Sequence, residues 1–190
     1  MAARKGTLTV ISGPMFSNKS GELLRLATVH RIAGRRVALF KHSLDDRYQG
    51  TGQISTHGGT SMAAEPVATA VEVSLLATGA DVVAIDEAQF FDDPLAGVAA
   101  ELVAGGTTVF VAGLDRNFKG EPFGPMAALM AMADEVMKLK AVCMRCRSLN
   151  GTMTQRLIDG RPATRNSPVI LVGAAEAYEA RCRDCHEVPG

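Results

Sequence analysis

No stretch of this chain approaches the roughly 18 consecutive apolar residues of a membrane span. No charge is in surplus either, since Lys and Arg number 20 and Asp and Glu number 20. The first absence argues against a helical membrane protein. The second removes the field that would draw nucleic acid or an anionic bilayer. The N-terminal Met-Ala-Ala-Arg-Lys-Gly is basic, but the apolar stretch behind it is only about five residues long and runs into a glycine. It therefore reads as a first strand and not as a signal peptide. Aromatic residues make up 5% of the chain and tryptophan is absent. The four cysteines all fall in two C-x-x-C pairs, which leaves none for scattered disulfides. There is no internal repeat and no low-complexity tract. The expectation is a soluble, cytoplasmic protein with neither a membrane nor a nucleic-acid partner.

What is present is an alternation. With 47% hydrophobic residues, 190 residues suit one medium domain with a small appendage. Thr7–Ile11 reads as strand, Gly21–Ala33 as helix, Arg36–Lys41 as strand after Gly34, and Ala68–Ala77 as helix. Asp81–Ile85 then reads as strand, Pro94–Ala104 as a helix stopped by Gly105-Gly106, Thr107–Ala112 as strand and Pro125–Ala133 as helix. Such a succession predicts an α/β domain over residues 1–140, a parallel sheet with helices on both faces. From about Val142 the pattern gives way to short polar segments anchored by cysteines, so 141–190 is expected to form a second, smaller lobe.

Gly13-Pro14-Met15-Phe16-Ser17-Asn18-Lys19-Ser20 lies between the first strand and the first helix. It matches the phosphate-binding pattern G-x-x-x-x-G-K-[ST] at every defined position but one. In that pattern backbone N–H groups surround the phosphates, the lysine reaches the β and γ oxygens, and the hydroxyl meets Mg²⁺. Asn18 stands where glycine belongs. Asn is one of the few residues that tolerate positive φ, so the loop can keep its shape, although the side chain lies near the phosphates. By itself the match is also compatible with a plain glycine-rich turn. The second half of a nucleotide site follows at Val82-Val-Ala-Ile85, an apolar strand that ends in Asp86-Glu87. A carboxylate at the tip of such a strand can hold Mg²⁺ beside the phosphates, at the sheet edge where α/β folds bind ligands.

Cys143-Met-Arg-Cys146 and Cys182-Arg-Asp-Cys185 match a tetrahedral structural zinc site of two knuckles. A redox C-x-x-C would explain one pair, not two. His186 is a possible substitute ligand, and the simpler reading leaves it on the surface. The 35 residues between Cys146 and Cys182 exceed the span of a compact ribbon, so the metal would clamp both ends of a long loop. Its interior, Asn150–Leu157 with Pro162, Pro168 and Val169–Gly173, is placed to fold over a ligand. A nucleic-acid-binding ribbon is the competing idea, weakened by the lack of an aromatic and basic stripe.

The ordered motifs resemble the zinc-containing thymidine kinases. They are the Gly13–Ser20 loop, Asp45-Asp-Arg47-Tyr48, Asp86-Glu87-Ala-Gln89-Phe90-Phe91, Gly113-Leu114-Asp-x-x-Phe118 with Pro122-Phe123, Lys138–Cys146, Thr154-Gln-Arg156, Val172-Gly173, and Glu176-Ala-Tyr178 leading to Cys182. The resemblance covers nearly the whole chain. It implies transfer of the ATP γ-phosphate to the 5′-hydroxyl of thymidine, and the roles of the site residues follow from it. Glu87 would be the general base, Lys19 and Arg47 would offset phosphoryl charge, and Asp45 would orient Arg47 or the metal's water. Ser20 and Asp86 would hold Mg²⁺, with Gln89 orienting the loop or a water. Phe118 would stack on the base, Val169, Ile170, Leu171, Val172 and Gly173 would read its edge through their backbone, and Tyr178 would fix the loop's inner end. Met15, Leu114 and Thr154 would surround the 5-methyl group.

A homotetramer is implied by the same resemblance. On residue chemistry alone Glu87 could equally be a Mg²⁺-side carboxylate, and Phe118 and Met15 could be core. The chain departs from the family at Asn18, at Ala174 after Gly173, and at Arg147 after Cys146, the last two being acceptable if their φ is negative. Two alternatives remain: a weakened or inactive nucleoside-binding paralogue, and a P-loop ATPase whose zinc module binds a partner.

Overall fold

The computed structural model describes residues 5–44, 52–55, 59, 61–170 and 177–190. Six parallel strands form its main sheet: β1 (Leu8–Ser12), β2 (Val37–His42), β5 (Glu65–Val67), β6 (Val82–Asp86), β7 (Thr108–Gly113) and β8 (Glu135–Lys138). They lie in the order β5-β2-β6-β7-β1-β8, with a hairpin of β3 (Gln53–Ser55) and β4 (Ser61–Ala63) beside them. All five residues of β1 and of β6 are buried, the signature of strands covered on both faces.

The side chains of these strands alternate between two cores. Leu8, Val10, Val83, Ile85, Val109 and Val111 face α2 (Ala70–Leu76), α3 (Leu95–Ala104) and α4 (Met126–Met132). Ile11, Leu39, Val82, Ala84, Phe110 and Ala112 face α1 (Lys19–Ile32). The parallel sheet with helices on both faces is therefore as expected. Among the described residues no helix is long and apolar enough to cross a membrane.

Local chemistry explains the boundaries. α2 starts later than residue 68 because Thr69 caps it: its hydroxyl accepts from the Glu72 N–H, and the Glu72 carboxylate accepts from the Thr69 N–H. α3 stops at Gly105 and Gly106, the second at φ 95°. β8 escaped the sequence reading because it is a short edge strand that is mostly exposed and has no apolar run.

Beyond β8 a three-stranded antiparallel sheet forms, with β9 (Met153–Ile158) between β10 (Arg161–Pro162) and β11 (Ala177–Arg181). Much of the expected long loop is thus paired strand. This sheet sits on the carboxyl edge of the main one. The Met15 N–H donates to Thr154 Oγ1 at 3.1 Å, and Arg116 Nη2 donates to the Thr152 carbonyl at 3.1 Å. Lys138 and Asp115 pair at 2.8 Å beneath it.

At the end of β2, buried His42 is locked in one tautomer. The Leu44 N–H can only donate, so Nδ1 accepts from it at 3.1 Å, and Nε2 carries the proton that goes to the Ala68 carbonyl at 3.1 Å. The ring meets Phe91 edge-on at 4.7 Å between centroids. Burial holds its pKa below the ordinary value, against the smaller upward pull of the Ala68 carbonyl and then of Asp92, Glu72 and Glu87. A depressed histidine gives stability that is complete above the unfolded pKa of about 6.5 and is lost as pH falls through the lower folded value. The unfolding midpoint of the parent should therefore fall more steeply than that of His42→Gln between about pH 7 and about pH 5.5. Parallel midpoint curves for the two proteins would contradict this account of His42.

Candidate functional site at the carboxyl edge of the sheet

The phosphate loop leaves β1 at Gly13, whose φ is 152°. A Cβ there would lie 2.7 Å from the Leu139 carbonyl and 2.8 Å from Ser17 Oγ, so only glycine fits. The loop closes on the Pro14 carbonyl, which accepts from Ser17 Oγ at 2.8 Å and from Lys19 Nζ at 2.8 Å. Phe16 is exposed, at φ 63°. Asn18 takes up the left-handed conformation, φ 63° and ψ 32°, and so preserves the loop as its residue type allowed. Its side chain makes no capping hydrogen bond and folds over Gly21, where an added Cβ would be 2.2 Å from Asn18 Oδ1. The glycine missing at 18 is matched by one at 21.

Register brings the carboxylates to this loop. Ile85 pairs with Val111 and Val111 with Val10, so β6, β7 and β1 end side by side. Asp86 closes β6, buried, and accepts from the Ser20 hydroxyl and, at 3.0 Å, from the Glu87 N–H. Burial and then the neighbouring Glu87 push its carboxyl up to about 7, despite Ser20, the Glu87 N–H and Lys19. Glu87, half-buried, sits at φ 54° and ψ 39°, a left-handed conformation that costs a non-glycine residue about 1 kcal/mol. A single 3₁₀ turn, Ala88–Phe90, follows it. Within this turn Gln89, 2% exposed, donates through Nε2 to Glu87 Oε2 at 2.5 Å and accepts through Oε1 from the Leu114 N–H at 2.9 Å.

The expected nucleoside side gathers on the segment after β7 and on β9. Leu114 and Thr154 are buried and Met15 is half-buried, its N–H held by Thr154. Phe118 is 3% exposed, with the Arg156 guanidinium 5.2 Å from its ring centroid. Tyr178 is half-buried and lies opposite Arg156 across β11 and β9. Val169 and Ile170 lie outside any strand, Ile170 exposed. Asp45, Arg47, Leu171, Val172, Gly173 and Ala174 fall outside the described residues.

Sequence reasoning gave no role to three residues that build this side. Arg156 is fully buried and donates to the Pro168 carbonyl, and an arginine in a polar tract carries no signal of such burial. Asp115 joins Lys138 to Arg116. Asn117 folds the turn that presents Phe118, accepting through Oδ1 from the Lys119 and Glu121 N–H groups, a role its place beside Lys119-Gly120 could have suggested.

The four cysteine sulfurs lie within 4.8 Å of one another. Cys146 and Cys182 Sγ are 3.7 Å apart, close to the edge of about 3.8 Å that a tetrahedron with Zn–S bonds of about 2.3 Å requires. Burial raises the Cys143 pKa, but the N–H groups of Cys146, Cys182 and Arg145 outweigh it and bring the thiol down to about 6. The Cys185 thiol is pushed up to about 12, chiefly by Cys182. Four sulfurs so close together suit one cation that takes all of them as thiolates.

Two expectations need correction here. His186 is half-buried instead of on the surface, because its Nε2 is held by the Phe118 carbonyl at 2.8 Å. Arg147 has positive φ, 63°, so the negative φ that would make it acceptable in place of glycine is not met; the knuckle closes through the Arg147 N–H and the Cys143 carbonyl at 2.8 Å.

Compared with protein-family models, residues 6–186 match the one described as thymidine kinase.

Two measurements test this geometry. Elemental analysis should find one zinc per chain, and Cys146→Ser should lose it together with amide protection in β9 and β11, while β1 and β6 stay protected. Full metal content in Cys146→Ser would refute the four-thiolate site. Gly21→Ala should lower the unfolding midpoint of the parent, by displacing Asn18, yet stabilise the Asn18→Gly variant by up to about 1 kcal/mol through helix propensity. Equal effects in the two backgrounds would mean that residues 18 and 21 do not interact.

Proposed function

The chain belongs to the thymidine kinase family, and from that premise we propose that it transfers the γ-phosphate of ATP to the 5′-hydroxyl of thymidine in deoxynucleotide salvage, with deoxyuridine as a second acceptor. The observation that carries this reading is the pairing of Asp86 and Glu87 at the end of β6, tied through Ser20 to a lysine-bearing phosphate loop. A sugar hydroxyl attacks phosphorus well only as it loses its proton. Glu87 takes that proton while the 5′-oxygen bonds to the γ-phosphorus and the bond to the ADP leaving oxygen breaks.

Lys19 and Arg47 would offset the charge on the transferring group, and Asp45 would orient Arg47 or the metal's water. Asp86 and Ser20 would hold Mg²⁺, and the donor set fits: a buried carboxyl that burial keeps from ionising easily gains most from a nearby cation. Magnesium held there would supply positive charge that offsets the charge developing on the phosphates during transfer. The Gly13–Ser20 backbone cradles the phosphates, and left-handed Asn18 supports an active loop over a disabled one.

The division of labour we propose is nucleotide binding and phosphoryl transfer on residues 1–140, with a zinc-clamped loop of 141–190 covering the nucleoside. Phe118 stacks on the base, Met15, Leu114 and Thr154 line the 5-methyl position, Val169 to Gly173 read the base edge, and Tyr178 supports the loop. Zinc at Cys143, Cys146, Cys182 and Cys185 clamps both ends. We place the enzyme in the cytoplasm as a homotetramer.

Incubated with Mg-ATP and thymidine, the protein should yield thymidine monophosphate. Glu87→Gln should lower kcat by about 10²- to 10⁴-fold with little change in the KM for either substrate. ATP hydrolysis that needs no nucleoside, with no monophosphate formed, would overturn the kinase reading in favour of an ATPase with a partner-binding zinc module.

A further inference from the structure

Gln89 joins two parts of the site that the reaction needs in register, and we propose that it is the residue that positions Glu87 and links that carboxylate to the nucleoside-binding segment. The inference rests on the kinase reading. The orientation of the Gln89 amide is fixed by its partners: the Leu114 N–H can only donate, so Oε1 faces it and the amino group faces Glu87. Both ends of the amide are therefore used, on a side chain 2% exposed, where no water competes for them.

Two glycines make room for this arrangement. A Cβ on Gly113 would lie 2.8 Å from Gln89 Oε1 and 2.7 Å from Met126 Sδ. One on Gly124, at φ 51°, would lie 2.3 Å from the Gln89 carbonyl. The strand end and the turn before α4 thus close on Gln89 from two sides and hold it in place.

The consequence lies in what each end touches. Glu87 leaves β6 in a left-handed conformation, and its carboxylate is at the end of a flexible side chain. With Oε2 held at 2.5 Å it cannot rotate freely, so the hydroxyl proton meets one orientation. The other end holds the first residue after β7, and only Asp115, Arg116 and Asn117 separate Leu114 from Phe118. The path Glu87, Gln89, Leu114, Phe118 makes the orientation of the base carboxylate depend on the segment that stacks the nucleobase.

The test is a double-mutant cycle in the zinc-loaded protein with Gln89→Met, which keeps length and loses the amide, and Glu87→Gln. Gln89→Met should lower kcat by about 10- to 100-fold while the KM values for ATP and thymidine stay within about twofold. In the Glu87→Gln background it should cost less than about twofold more, because its effect passes through Glu87. Calorimetric binding of thymidine checks that each variant is folded. Gln89→Asn, which keeps an amide too short to span both partners, replaces any variant that is not folded, with the same expectation. Parent-like kcat in the Gln89 variant, or an equal fold loss with and without Glu87, would overturn the proposal. A parent that makes no thymidine monophosphate would overturn the kinase reading and this inference with it.

Discussion

Asp86 is a carboxylate placed where water cannot reach it, at the end of a strand buried on both faces, and the rest of the site is arranged around that constraint. An unpaired carboxylate in such a place either neutralises or finds positive charge and donors. Ser20, Lys19 and the Glu87 N–H supply some of both, yet burial and Glu87 still hold the group up to about 7. The register of β6, β7 and β1 puts the phosphate loop within reach, and the loop lysine rests on its own Pro14 carbonyl in the structure. A site of this kind gains most when a cation and phosphates arrive together, because each offsets a charge the other leaves exposed.

The C-terminal lobe is coupled to the same edge by side chains that also shape the site. Thr154 holds the loop at Met15, Arg116 holds β9 through the Thr152 carbonyl, and His186 holds the carbonyl of Phe118. Metal ligation by the cysteines would therefore act beyond the lobe. Cys185 adjoins His186, and Cys182 follows β11 directly, so a metal that fixes these residues also fixes the segment carrying Phe118. This is the physical sense in which a structural metal can govern substrate capture without touching substrate.

The fold was legible because parallel strands covered on both faces leave long apolar runs. Val82–Ile85 and Thr107–Ala112 are such runs, and α1 and α3 stop at Gly34 and Gly105 as glycine punctuation suggests. What was not legible was set by pairing and burial that no local pattern records. β8 is an edge strand held by β1, and β9 to β11 are short strands inside a tract that reads as loop. Gly13, Lys19, Asp86 and Glu87 were readable because phosphate chemistry demands those residue types at those spacings. The partners of Gln89 and the burial of Arg156 were not, since an amide bridging a carboxylate and a backbone N–H, and a guanidinium over a ring, are decided by tertiary packing.

The central claim is that Glu87, held by Gln89, meets the acceptor hydroxyl. The most direct measurement is a crystal structure of the zinc-loaded protein with thymidine and a non-hydrolysable Mg-ATP analogue. The account predicts the thymidine 5′-oxygen within about 3 Å of the Glu87 carboxylate, with the Gln89 amide on that carboxylate's other oxygen. A Glu87 turned away from the nucleoside to ligate the metal, with no carboxylate near the 5′-oxygen, would contradict it.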